Sequence, residues 1–92
     1  MSDIKFLIDE NILGIGRFLD AFDIKYRKIG DENCPALGSD DTKVAKFAEK
    51  ENLVVITSDD KLTKQCELFN VKFVFGDLRD FARKVKEYAD SN

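Results

Sequence analysis

Leu53-Val54-Val55-Ile56-Thr57-Ser58-Asp59-Asp60 is the stretch that decides the fold. Its first five residues are aliphatic or β-branched with no polar alternation, as in a central parallel strand covered on both faces. Ser58-Asp59-Asp60 then supplies a helix N-cap, and Leu62, Cys66 and Phe69 follow at helical spacing. A buried strand passing directly into a capped helix is one βα unit, and the same alternation continues in both directions.

Upstream, Asp40-Asp41 open a helix with Val44, Ala45, Phe47 and Ala48 facing inward, ending near Glu51-Asn52. Ile29–Ser39 carries two Gly and the only Pro, the composition of a loop. Asp23–Lys28 alternates through Ile24 and Tyr26, which predicts a second strand with one polar face. Before it, Ile12, Ile15, Phe18, Leu19 and Phe22 share one helical face, with Asn11 as the expected N-cap. Gly14 and Gly16 weaken the first turns of that helix by about 1 kcal/mol each relative to Ala. Ile4–Ile8, bounded by acids, is the expected first strand. Downstream, Val71–Phe75 forms a fourth strand, and Gly76-Asp77 turns into a last helix with Leu78, Phe81, Ala82, Val85, Tyr88 and Ala89 on one stripe.

Strands alternating with helices predict an α/β fold: a small doubly wound parallel four-stranded sheet in order 2-1-3-4, helices on both faces. Leu7, Val54, Val55 and Phe73 are the expected interior. The 92 residues, 43% hydrophobic, provide for a single domain over 1–92, its core spanning about 4–86 before a short polar C-terminal tail. Eight Phe and two Tyr argue against disorder. No apolar run approaches the roughly 20 residues of a membrane helix, and MSDIKFLIDEN lacks a basic region leading into an apolar one. The expected location is cytoplasmic. Cys34 and Cys66 are too few for a disulfide scaffold or a zinc site; Cys66, on an apolar helix face, is expected in the core.

Lys and Arg number 15 against 18 Asp and Glu, for a net charge of −3, and the pI is near 4.9. That is not the basic footprint of a general nucleic-acid binder. The chain has no histidine, which excludes serine and cysteine triads, His-ligated zinc and imidazole proton shuttles. Any chemistry must rest on carboxylates with a hard metal ion. Gly14-Ile15-Gly16 lacks the third glycine of a dinucleotide fingerprint, since Leu19 stands there.

Acids fall where such an ion would be held. Asp9 and Glu10 follow strand one, Asp59 and Asp60 follow strand three, and Asp40 and Asp41 begin the second helix. In order 2-1-3-4 all three pairs reach the carboxyl edge at the topological switch point, where ligands bind in such sheets. Like charges so gathered repel one another and call for a cation; an oxygen-only site suits Mg²⁺ or Mn²⁺. Asp9, Asp41 and Asp59 are the leading metal and catalytic candidates, with Glu10 and Asp60 as further ligands. One member of each later pair is expected to be an N-cap worth about 1 kcal/mol; Asp9 is less readily a cap, because Asn11 offers one. Arg17 and Lys61 are the expected substrate contacts. Lys25, Arg27 and Lys28 are expected to be a solvated strand face, with a phosphate-contacting patch the alternative.

FLIDEN after the first strand, SDDTKVAKFAEKENLVVITSDDKL, and then a last strand and helix together resemble the short, stand-alone branch of the PIN-like domain family, over residues 4 to 86. The resemblance implies a Mg²⁺- or Mn²⁺-dependent ribonuclease acting on RNA, single-stranded by expectation, and in many members the toxin of a toxin–antitoxin pair. By position, the family's first acid looks like Asp9, the acid opening its second helix like Asp41, and its T-x-D acid like Asp59 in Thr57-Ser58-Asp59. Many relatives carry a further Asp two residues later, where this chain has Lys61. That departure and the acidic pI favour an alternative: a PIN-like module that binds a partner protein, such as an antitoxin, without cleaving RNA. A receiver-like phosphoacceptor also places acids after strands one and three, but needs a further strand bearing a lysine.

Overall fold

In a computed structural model, the described residues are 5–81 and 83. Four short strands, β1 (Phe6–Ile8), β2 (Tyr26–Lys28), β3 (Val54–Thr57) and β4 (Phe73–Phe75), form one sheet in order β2-β1-β3-β4. Every pairing is parallel, with Leu7 opposite both Arg27 and Val55, and Val55 opposite Phe73. The connections are a 3₁₀ segment (Glu10–Ile15) running into α1 (Gly16–Ala21), then α2 (Asp41–Glu51) and α3 (Asp60–Leu68). Residues 78–81 and 83 are helical; of the predicted last helix, Ala82, Val85, Tyr88 and Ala89 lie outside the described residues, as does Ile4 of the first strand.

Side chains alternate across a strand, so one unbroken apolar run feeds two cores. Leu7 and Val55 pack with Val44, Ala45 and Ala48 of α2 and Leu62 and Cys66 of α3. Ile8 and Ile56 pack on the opposite face with Ile12 and Ile15, with Phe18, Leu19 and Phe81 partly buried around them. Leu7 and Val55 are fully buried. Val54 and Phe73, expected inside, are only half-buried. Phe73 belongs to an edge strand, whose outer side no further strand covers among the described residues.

The helix after β1 differs from expectation. Its N-cap is Asp9, not Asn11: Asp9 is extended (φ −67°, ψ 151°) and its Oδ1 accepts the Glu10 N–H. The chain turns at once on leaving β1, so the first orphan donor belongs to Glu10. Ile12 (φ −138°, ψ 31°) interrupts the turn, and a regular α-helix begins only at Gly16. The pairs opening α2 and α3 behave as expected. Asp40 accepts the Lys43 N–H at 2.8 Å and Asp59 the Lys61 N–H at 2.9 Å, one cap each.

Both long helices end alike. Asn52 and Asn70 lie in the left-handed region (φ 56° and 57°), and the residues after them, Leu53 and Val71, donate back to the Ala48 and Cys66 carbonyls at 2.9 and 2.8 Å. This closure turns each helix straight into the next strand. Among the described residues, no helix is long and apolar enough to cross a membrane.

Candidate functional site

β1 and β3 are neighbours in register, Ile8 opposite Ile56, so Asp9 and Thr57 emerge side by side at the carboxyl edge. The Asp9 N–H extends the ladder to the Ile56 carbonyl at 2.9 Å. Asp9, only 6% exposed as a residue, accepts the Thr57 hydroxyl on Oδ2 at 2.7 Å and the Glu10 N–H on Oδ1 at 2.9 Å. Thr57 Oγ1, fully buried, also accepts the Asp59 N–H at 3.0 Å. One hydroxyl thus ties the acid after β1 to the turn after β3. Thr57 was absent from the sequence-derived candidates as a polar group in its own right; its signal is a hydroxyl ending an otherwise apolar buried strand.

Asp41 stands half-buried at the start of α2, and no hydrogen bond holds its carboxylate among the described residues. Burial pushes the Asp41 carboxyl above its ordinary value; the charges of Asp59 and then Asp9 add to the rise, and Lys61 opposes it. Asp9 is also raised. Burial is the main cause, the hydrogen bonds from Thr57 and Glu10 pull the other way, and the Asp59 and Glu10 charges push up. Asp9, Asp41 and Asp59 therefore share one electrostatic field. Beneath them lies Cys66, whose buried thiol is pushed up to about 11 by desolvation and by the charges of Asp41 and Asp9. It stays protonated at neutral pH and is no ligand in that form.

The other candidates are distributed around this group. Glu10 turns to the loop before α2, its Oε1 accepting the Gly38 N–H at 2.9 Å. Asp60 is exposed, and its carbonyl accepts the Thr63 hydroxyl at 2.6 Å. Lys61 is exposed and near enough to act on Asp41. Arg17 is exposed on α1, on the other face of the sheet, and no interaction ties it to the acids among the described residues. Lys25 and Lys28 line a surface groove along β2 in which Asp20, Asp23 and Asp31 offset their charge. Arg27 pairs with Glu51 at 3.0 Å. Acids thus interleave with the bases along this edge strand.

The donor set is all oxygen, the chemistry of a hard divalent cation rather than zinc or copper. Among the described residues, no three His, Cys, Asp or Glu side chains are closed around a common point as an assembled metal centre. The edge gathers the carboxylates without converging them. The chain matches no family model, no curated protein and no solved structure.

Proposed function

We propose that this chain is a Mg²⁺- or Mn²⁺-dependent endoribonuclease of PIN-like type, cutting single-stranded RNA and acting as the toxin of a toxin–antitoxin pair. The observation that carries the proposal is the meeting of Asp9, Asp41 and Asp59 at the β1/β3 switch point, where Asp9 and Asp41 are both raised, chiefly by burial, with the Asp59 charge adding to both and the Asp9 charge adding to Asp41. Carboxylates gathered at one sheet edge repel one another, a cost that a bound cation relieves.

Asp9, Asp41 and Asp59 would hold the ion. When bound, a divalent ion supplies Lewis acidity to the attacking water and to the leaving oxygen of an in-line displacement, and it reverses the negative field that otherwise repels phosphate. Thr57 orients Asp9 by donating its hydroxyl at 2.7 Å and holds the Asp59 backbone by accepting its N–H. Lys61, exposed and acting on Asp41, would meet a phosphate oxygen.

The test is cleavage of a set of single-stranded RNAs with Mn²⁺, abolished by EDTA and by Asp9→Asn. Lys61 favours a second reading, since it stands where many PIN-like domains, which the sequence resembles, carry an acid, and its charge acts on Asp41. Under that reading the chain binds a protein partner without cleaving. Lys61→Asp separates the two: activity that rises in this variant supports an incomplete nuclease site. Failure of both wild type and Lys61→Asp to cleave at saturating Mn²⁺ leaves the binding module.

A further inference from the structure

The stretch between β2 and α2, residues 29–40, passes over the carboxyl edge, and little packing holds its second half. Pro35 is buried, whereas Ala36, Leu37 and Gly38 are exposed. Its own hydrogen bonds fold the loop on itself: Gly30 N–H to the Pro35 carbonyl at 2.8 Å, and the Ser39 N–H and hydroxyl to the Ala36 carbonyl at 3.1 and 2.6 Å. At its start Ile29 donates to the Ile8 carbonyl at 3.0 Å and Asp31 to the Lys28 carbonyl at 3.1 Å, but beyond Asp31 no backbone hydrogen bond ties the loop to the sheet among the described residues. Gly38, at φ +84° with open space where a side chain would be, leaves its backbone accessible. There the Glu10 carboxylate accepts the Gly38 N–H at 2.9 Å. Among the described residues this is the only hydrogen bond joining residues 30–40 to β1 or the 3₁₀ segment.

We infer that Glu10 is a positioning residue, whose carboxylate clasps Gly38 so that α2 begins with Asp41 beside Asp9. Glu10 adjoins Asp9, and Gly38 lies just before the Asp40 cap and Asp41, so one bond links the two backbones that carry these acids. The clasp requires an acceptor at Oε1 and not a negative charge. That distinguishes it from metal ligation, in which the charge is what counts. Its consequence for metal affinity rests on the function proposed above; the clasp itself does not.

Two variants and two measurements test it on the full chain. Glu10→Gln keeps the acceptor and drops the charge, while Glu10→Ala drops both. Amide hydrogen exchange at Gly38 should accelerate about five- to tenfold in Glu10→Ala and stay within about twofold of wild type in Glu10→Gln, as for loss of one hydrogen bond. Mn²⁺ titration, read from broadening of the amides of Asp9, Asp41 and Asp59, should show affinity falling about five- to tenfold in Glu10→Ala, with most of it restored in Glu10→Gln. Thermal melts of the metal-free proteins separate this loss from general unfolding. Equal losses of Mn²⁺ affinity in both variants would make Glu10 a ligand and overturn the proposal. Unchanged Gly38 exchange in Glu10→Ala overturns it too, whatever the metal does. A wild type that ignores Mn²⁺ sinks the metal reading instead, and the exchange measurement still decides the clasp.

Discussion

Asp59 caps α3 through Oδ1 and also contributes its charge to the field around Asp9 and Asp41. Two substitutions divide these roles. Asn is as good a cap as Asp, so Asp59→Asn should leave thermal stability at or above wild type while removing Mn²⁺ affinity. Asp59→Ala should lose the affinity and about 1 kcal/mol of stability. Denaturant melts with Mn²⁺ titration check both; an Asp59→Asn variant that binds Mn²⁺ like wild type removes Asp59 from the site. Asp9 gives a pH prediction. Its carboxyl is raised in the fold, chiefly by burial, so the folded chain holds that proton to higher pH than the unfolded one. Stability from this group is therefore greatest in acid and falls as pH rises from the ordinary carboxylate value through the raised one. Asp9→Asn cannot titrate. Its stability relative to wild type should improve between about pH 3 and pH 7, as urea melts across that range would show. A flat difference would mean that Asp9 is not raised.

At the scale of elements, α2 and α3 are closed at both ends by short side chains. Asp40 and Asp59 satisfy their first turns, and Asn52 and Asn70, both left-handed, turn their last turns into β3 and β4. The left-handed region is strained for any residue with a Cβ, least for Asn and not at all for Gly. Asn52→Ala should cost about 1 kcal/mol and Asn52→Gly little or nothing, measured by equilibrium denaturation. Equal stability of the Ala and Gly variants would mean that backbone conformation is not what Asn52 contributes. This closure also serves the site. A tight exit from α2 places β3 against β1 in the register that sets Thr57 beside Asp9.

For the whole molecule, a cation that binds the fold and not the unfolded chain stabilises by mass action, about 2.7 kcal/mol at a hundred times Kd. For a chain of this size that is a rise in Tm of about 10 °C or more. Saturating Mn²⁺ should produce such a rise at neutral pH, and EDTA should reverse it. The rise should shrink as the pH falls into the range where Asp9 and Asp41, both raised, take up protons and compete with the metal. Calorimetry at two pH values checks the sign; an Mn²⁺ effect that grows in acid would place the ion elsewhere.

The division between what the chain encodes locally and what folding adds falls along contact distance. The βαβ alternation, the parallel sheet in order 2-1-3-4 and the arrival of Asp9, Asp41 and Asp59 at one edge were legible in the sequence, because side-chain period and the handedness of crossovers are local rules. The sequence could say that one acid of each pair caps a helix, but not that Asp9 would displace Asn11 as the cap after β1. That outcome depends on how sharply the chain leaves the sheet. Tertiary structure alone decided that the Thr57 hydroxyl reaches Asp9 across 48 residues and that Glu10 reaches Gly38 across 28. Such bonds follow from strand register and the path of a loop, which no periodicity encodes.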